Sequence, residues 1–115
     1  MNQTIHVGAI APYSCIVTVE SFQDTEESPY WDLSTGVSAA VFEVRDENGT
    51  VRTWPAIVSA AATNSFGSEV VLTHEFVLDD VPKAGTLYVR PRLTHETHGT
   101  LYGEAFKLMV TGGFT

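Results

Sequence analysis

The chain has 115 residues, 43% of them apolar, and carries fourteen acidic against six basic side chains for a net charge of −8. A chain of this length buries a core of its own, and its composition is that of a globular domain rather than a disordered one. The acidic balance argues against nucleic acid and anionic membrane surfaces as partners, since both are bound by clustered Lys and Arg.

Cys15 is the single cysteine, so an intramolecular disulfide is impossible and assembly in a reducing cytosol is expected. The amino-terminal MNQTIHVGAIAPYS lacks the basic region and apolar run of a secretory signal. No window approaches the ~18 consecutive apolar residues of a membrane-spanning helix. One domain over residues 1–111 is expected, with a flexible carboxy-terminal end at Gly112–Thr115.

Thr4–Ile10 alternates weakly and stops before Pro12, which suits a short edge strand. In Ser14–Glu20, Cys15, Val17 and Val19 share one face and Ile16, Thr18 and Glu20 the more polar one. Cys15 reads as a small core hydrophobe, because no neighbouring cation or helix terminus is present to activate its thiol. Ser21–Trp31 is a polar, acidic loop in which Pro29 holds Ser28 extended. Its carboxylates lack the ordered spacing and mid-loop glycine of a calcium loop. Tyr30 and Trp31 either cover one end of the fold or form an exposed contact patch.

Gly36–Arg45 is a strand with Ala40, Phe42 and Val44 on one face, and Asp46-Glu47-Asn48-Gly49 turns the chain. Two turns compete. A two-residue Asn48-Gly49 turn sets Phe42 against Pro55, whereas a type I turn with a left-handed Gly49 bulge sets Phe42 against Trp54 and Ala40 against Ala56. The second joins the two largest apolar groups on one buried face and is the expected register.

Val51–Ala60 continues as a strand in which Pro55 demands an edge or a kink, and Ala61–Gly67 connects it onward. Ser68–Leu78 alternates most cleanly: Val70, Leu72, Phe76 and Leu78 point inward, interrupted by His74, which reads as a packed or partly wet strand residue rather than a ligand. After a turn at Asp79–Gly85, Gly85–Thr94 points Leu87, Val89, Pro91 and Leu93 inward, leaving Tyr88, Arg90 and Arg92 outward. These arginines either pair across strands with Glu75 or Glu104, or recognise an anion or carboxylate. His95–Gly99 is a hairpin loop, and Thr100–Thr111 the last strand, with Phe106, Leu108 and Val110 inward. The pattern is all-β: an Ig-like β-sandwich of about seven antiparallel strands in two sheets.

Catalytic chemistry finds no constellation. There is no G-x-S-x-G elbow and no phosphate-binding glycine loop, and Cys15 sits in mid-strand, so no enzyme and no cofactor are expected. His95 and His98 have a metal-like spacing but lack third and fourth ligands and the helix of an H-E-x-x-H site, so no metal is expected either.

Asp32-Leu33-Ser34-Thr35-Gly36, then Val41-Phe42-Glu43-Val44-Arg45-Asp46, Gly49-Thr50-Val51 and Gly85-Thr86-Leu87-Tyr88-Val89 follow a recognisable order. In these motifs the chain resembles the small Ig-like domains of bacteriophage tail and baseplate proteins, particularly the amino-terminal domain of baseplate upper proteins. The likeness runs from about Leu33 to Val110 and leaves out the acidic loop at Asp24–Trp31. Departures from antibody-type domains are the missing second Cys and Leu87 where a tyrosine corner would set Tyr. The resemblance implies a structural module of a phage or prophage particle that contacts other virion or assembly subunits, or copies of itself, and has no catalytic residues. The contact surface expected is Tyr30, Trp31, Tyr88, Arg90, Arg92 and Tyr102. A glycan-binding module stacking sugars on Tyr30, Trp31 or Trp54 is the alternative.

Overall fold

The computed structural model describes residues 3–10, 12–22, 33, 36–63, 67–96 and 99–112. Nine strands run through them: β1 (Gln3–His6), β2 (Ser14–Phe22), β3 (Val37–Arg45), β4 (Val51–Pro55), β5 (Ile57–Thr63), β6 (Gly67–Glu75), β7 (Gly85–His95), β8 (Gly99–Tyr102) and β9 (Phe106–Thr111). They form two sheets. Sheet A has the order β1-β9-β7-β3-β4, with β8 also paired to β7, and sheet B is β2-β6-β5. This is the B-E-D and G-F-C-C′ arrangement of an Ig-like sandwich, with a first strand added alongside the last. The β1–β9 pair is parallel, the other pairs antiparallel.

The β3–β4 hairpin adopts the bulged register expected of it. Asp46 N–H donates to the Thr50 carbonyl at 3.0 Å, Gly49 N–H to the Asp46 carbonyl at 3.1 Å, and Gly49 has φ +86°. An Asp46 side-chain oxygen also accepts from the Asn48 and Thr50 amides, both at 2.9 Å, which fastens the turn. Phe42 lies opposite Trp54, and Ala56 N–H donates to the Ala40 carbonyl. Both aromatic side chains are buried, at 0% and 2% exposure. Trp54 reaches across the sandwich to stack on His74 of β6, with centroids 5.1 Å apart and planes 10° apart, and meets Phe76 edge-on.

Three expectations about strand limits are corrected. The strand expected over Val51–Ala60 is two, because the chain leaves sheet A at Pro55 and enters sheet B at Ile57. β4 is the edge of sheet A, so the missing Pro55 donor costs no ladder bond, and its carbonyl is met by His74. The connection expected from Ala61 begins later, since β5 runs to Thr63. The last strand is also divided. Pro91 offers β8 and β9 no N–H, and the ladder breaks there, at Gly103–Ala105, which is bridged by Gly103 N–H donating to the Pro91 carbonyl. A Cβ on Gly103 would lie 2.6 Å from Pro91 Cγ, so only glycine fits.

Leu78 was expected inward and is 77% exposed. The backbone leaves the sheet after Glu75, and the Asp80 carboxylate accepts from the Val77 amide at 2.9 Å to start the turn. Val81 fills the core beyond it. The remaining core is as the alternation implies: Cys15 and Val19 from β2, Val70 and Leu72 from β6, Val89 and Leu93 from β7, and Leu108 from β9. Gly112 is described, while the rest of the expected flexible end lies outside the described residues. No helix among the described residues is long and apolar enough to cross a membrane.

Candidate functional site

The outward positions of sheet A bring together residues that lie far apart in sequence. Strand pairing sets Arg45 opposite Tyr88 and Tyr88 opposite Lys107, Glu43 opposite Arg90, and Arg92 opposite Tyr102. Because side chains alternate across a strand, these residues share one face of the sheet.

Glu43 is the anchor of that face. Its Oε1 accepts from Arg90 Nε at 3.1 Å and Nη2 at 2.7 Å, and its Oε2 accepts from Arg92 Nη1 at 3.3 Å. Two guanidinium groups thus share one carboxylate, which leaves the triad with a charge of +1. The partner is neither Glu75 nor Glu104, as the sequence had suggested. Topology supplies the reason: β7 lies beside β3 in sheet A, whereas Glu75 belongs to β6 in sheet B. Both arginines remain substantially exposed, at 48% and 37%. Such pairs contribute about 0–1 kcal/mol each, so their effect is to hold the forks in place rather than to stabilise the fold.

The two tyrosines are covered by cations. Arg90 Cζ stands 4.0 Å from the Tyr102 ring centroid, Arg45 Cζ 5.2 Å from that of Tyr88, and Lys107 Nζ 6.0 Å from the same ring. The negative face of an aromatic ring favours this arrangement. Four of the six basic residues therefore lie on this face, and among its described strand positions Glu43 is the one acidic residue, in a chain of net charge −8. A depression of about 330 Å³ opens between Glu43, Arg45, Val51, Tyr88 and Arg90.

Of the contact residues the sequence suggested, Tyr88, Arg90, Arg92 and Tyr102 come together here, while Tyr30 and Trp31 lie outside the described residues. Glu43, Arg45 and Lys107 complete the face and were missed. Their outward phase was readable from the alternation, but the pairing of β3 and β9 with β7 was not.

The other sites considered are occupied by packing. His95 is buried against Gly36, whose φ is +81° and where a Cβ would lie 2.7 Å from His95 Nε2. His98 lies outside the described residues. Among the described residues no group of three or more His, Cys, Asp or Glu could hold a metal ion. His74 has its ring nitrogens 2.7 Å from the Pro55 carbonyl oxygen and 2.7 Å from Asp80 Oδ2, so it ties the sheet-switching corner to the β6–β7 turn. Arg52 donates to the carbonyls of Asp79 and Asp80 in the same turn. Cys15 is fully buried, and burial pushes its thiol pKa up to about 12, which removes it as a nucleophile at neutral pH.

No protein-family model matches the chain, and no curated protein matches it significantly. Among solved structures it is similar to CopC from Methylosinus trichosporium OB3b, at 15% identity and a TM-score of 0.47, over 98% of this chain and 88% of that one. It is also similar to a family 123 glycoside hydrolase from Clostridium perfringens, studied for glycolipid glycan hydrolysis, at 11% identity and a TM-score of 0.36. That match covers 97% of this chain and 23% of the hydrolase. Neither likeness bears on what this chain does.

Proposed function

We propose that this protein is a non-enzymatic assembly module that docks onto other subunits through the outer face of sheet A, in a phage or prophage particle at the tail, baseplate or head. One observation carries the docking part of this reading. A protein of net charge −8 gathers four of its six basic side chains and two exposed tyrosines on a single sheet face. Tyrosine and arginine are the residues enriched at protein interfaces, where one end of the side chain is apolar and the other polar. Complementary charge of this kind steers encounter and fixes orientation more than it adds affinity. The particle setting rests on the sequence resemblance of the β3–β4 hairpin and β7 motifs, and it places the protein in the virion after synthesis in the bacterial cytoplasm.

The glycan-binding alternative draws less support. Trp54, one of its three expected platforms, is 2% exposed. Tyr102 has Arg90 over its ring, and Tyr88 has Arg45 and Lys107, so a sugar would have to displace a cation from each.

Affinity purification from the native host, comparing wild type with Arg90→Gln/Tyr102→Ala, tests the docking reading. Capsid, tail or baseplate subunits should co-purify with wild type and be depleted with the variant. An identical set from both proteins, or glycan-array binding lost with Tyr102→Ala, would overturn it. Tail or head genes beside this one would support the particle setting independently.

A further inference from the structure

The two sheets carry opposite charge. The strands of sheet A hold Arg45, Arg52, Arg90, Arg92 and Lys107 against Glu43, a balance of +4. The strands of sheet B hold Glu20, Glu69 and Glu75 and no Lys or Arg at all, a balance of −3. Within sheet B, Glu20 lies directly opposite Glu69 on neighbouring strands, and both are exposed. Neither forms an ion pair among the described residues. Like charges so placed destabilise a sheet, and no nearby cation on the same sheet offsets them. Beside them on the same outer face, Ile16 and Ile57 flank Thr73 in one cross-strand row, exposed at 52% and 67%.

We infer that the outer face of sheet A docks on the outer face of sheet B of a second copy of this chain. This rests on the reading of sheet A as the docking surface and names the occupant. The complementarity is local as well as global. Arg90 and Arg92, two residues apart on one strand, project about 6–7 Å apart. The opposed Glu20 and Glu69 are separated by about 5 Å at Cβ. One guanidinium can meet each carboxylate. Contact joins two different faces, so it is heterologous, and each added copy leaves one basic and one acidic face free for the next. Repulsion between two chains of net charge −8 opposes this at long range, but beyond about 8 Å it is screened at physiological ionic strength, whereas faces in contact are not.

The test uses the whole chain and two neutralised variants, Arg90→Gln/Arg92→Gln on sheet A and Glu20→Gln/Glu69→Gln on sheet B, with circular dichroism confirming that each folds. Sedimentation velocity of wild type from micromolar to millimolar should show growing species at physiological salt that dissociate at molar salt. Each variant alone should associate at least about tenfold more weakly, since a tenfold loss needs only one good charge pair. Mixing the two variants should restore a 1:1 dimer and nothing larger, because one intact face of each kind remains. The sheet B variant should also melt at a higher temperature than wild type, its like-charge pair being removed. A monomeric wild type at every concentration, or association indifferent to the sheet B variant, overturns the inference. If the sheet A variant nonetheless loses its host partners, docking stands and the occupant is a different acidic protein. If it loses neither partners nor self-association, both readings fall.

Discussion

Trp54→Ala is the perturbation that best tests the frame on which the basic face is mounted. The indole is 2% exposed, opposes Phe42 across the β3–β4 hairpin, stacks on His74 at 5.1 Å and meets Phe76 edge-on at 5.3 Å. Truncating a buried Trp to Ala costs about 3–5 kcal/mol from lost transfer energy and the cavity left behind. A domain of this size has a total stability of about 5–15 kcal/mol, so about a fifth or more should vanish. Trp54→Phe separates shape from polarity. The Trp54 Nε1 is buried and has no hydrogen-bond partner among the described residues, and a group in that state costs about 1–3 kcal/mol. Phenylalanine removes that donor and keeps an aromatic ring against His74 and Phe76, so its net cost should stay below about 1.5 kcal/mol. Urea unfolding followed by far-UV circular dichroism measures both. A loss below about 1 kcal/mol for Trp54→Ala, or equal losses for the two variants, would refute the bulged register and the core built on it.

Other substitutions probe the turns and the thiol. Gly49→Ala should cost about 1–2 kcal/mol from its φ of +86° alone, because a Cβ there meets nothing within 4 Å. Gly36→Ala should cost more, since it adds a 2.7 Å contact with His95 to a φ of +81°, and thermal melts of the two rank them directly. Cys15 should resist iodoacetamide in the folded protein at pH 8 and react on unfolding, as mass spectrometry would show. Burial raises its pKa from 9.0 to about 12, so the unfolded chain releases this proton first. The stability linked to it is full below pH 9 and falls as pH rises toward 12, a trend that Cys15→Ala should lack.

Much of the fold was readable because period-2 alternation is a local property. The inward set Cys15, Val19, Phe42, Val44, Val70, Leu72, Val89 and Leu93 follows from it, as does the bulge at Gly49. What failed was long-range. Pro55 announced an edge or a kink, and the chain there also changes sheets, which depends on what the far side of the sandwich offers. Leu78 continued an alternation whose strand had already ended, because Asp80 captures the Val77 amide. The candidate face was half legible: Tyr88, Arg90, Arg92 and Tyr102 could be assigned outward, but Glu43 as the shared anion required knowing that β3 lies beside β7. His74 could be recognised as packed, while its bonds to Pro55 and Asp80 join segments that no local pattern connects.

The outer face of sheet A is proposed to take an acidic protein surface. A hexaglutamate peptide titrated into the ¹⁵N-labelled protein at physiological salt tests it without knowledge of the natural partner. Chemical-shift changes should concentrate on Glu43, Arg45, Tyr88, Arg90, Arg92 and Tyr102, and should disappear at molar salt and in Arg90→Gln/Arg92→Gln. Shifts centred on any other surface, or no saturable shifts at all, would contradict it.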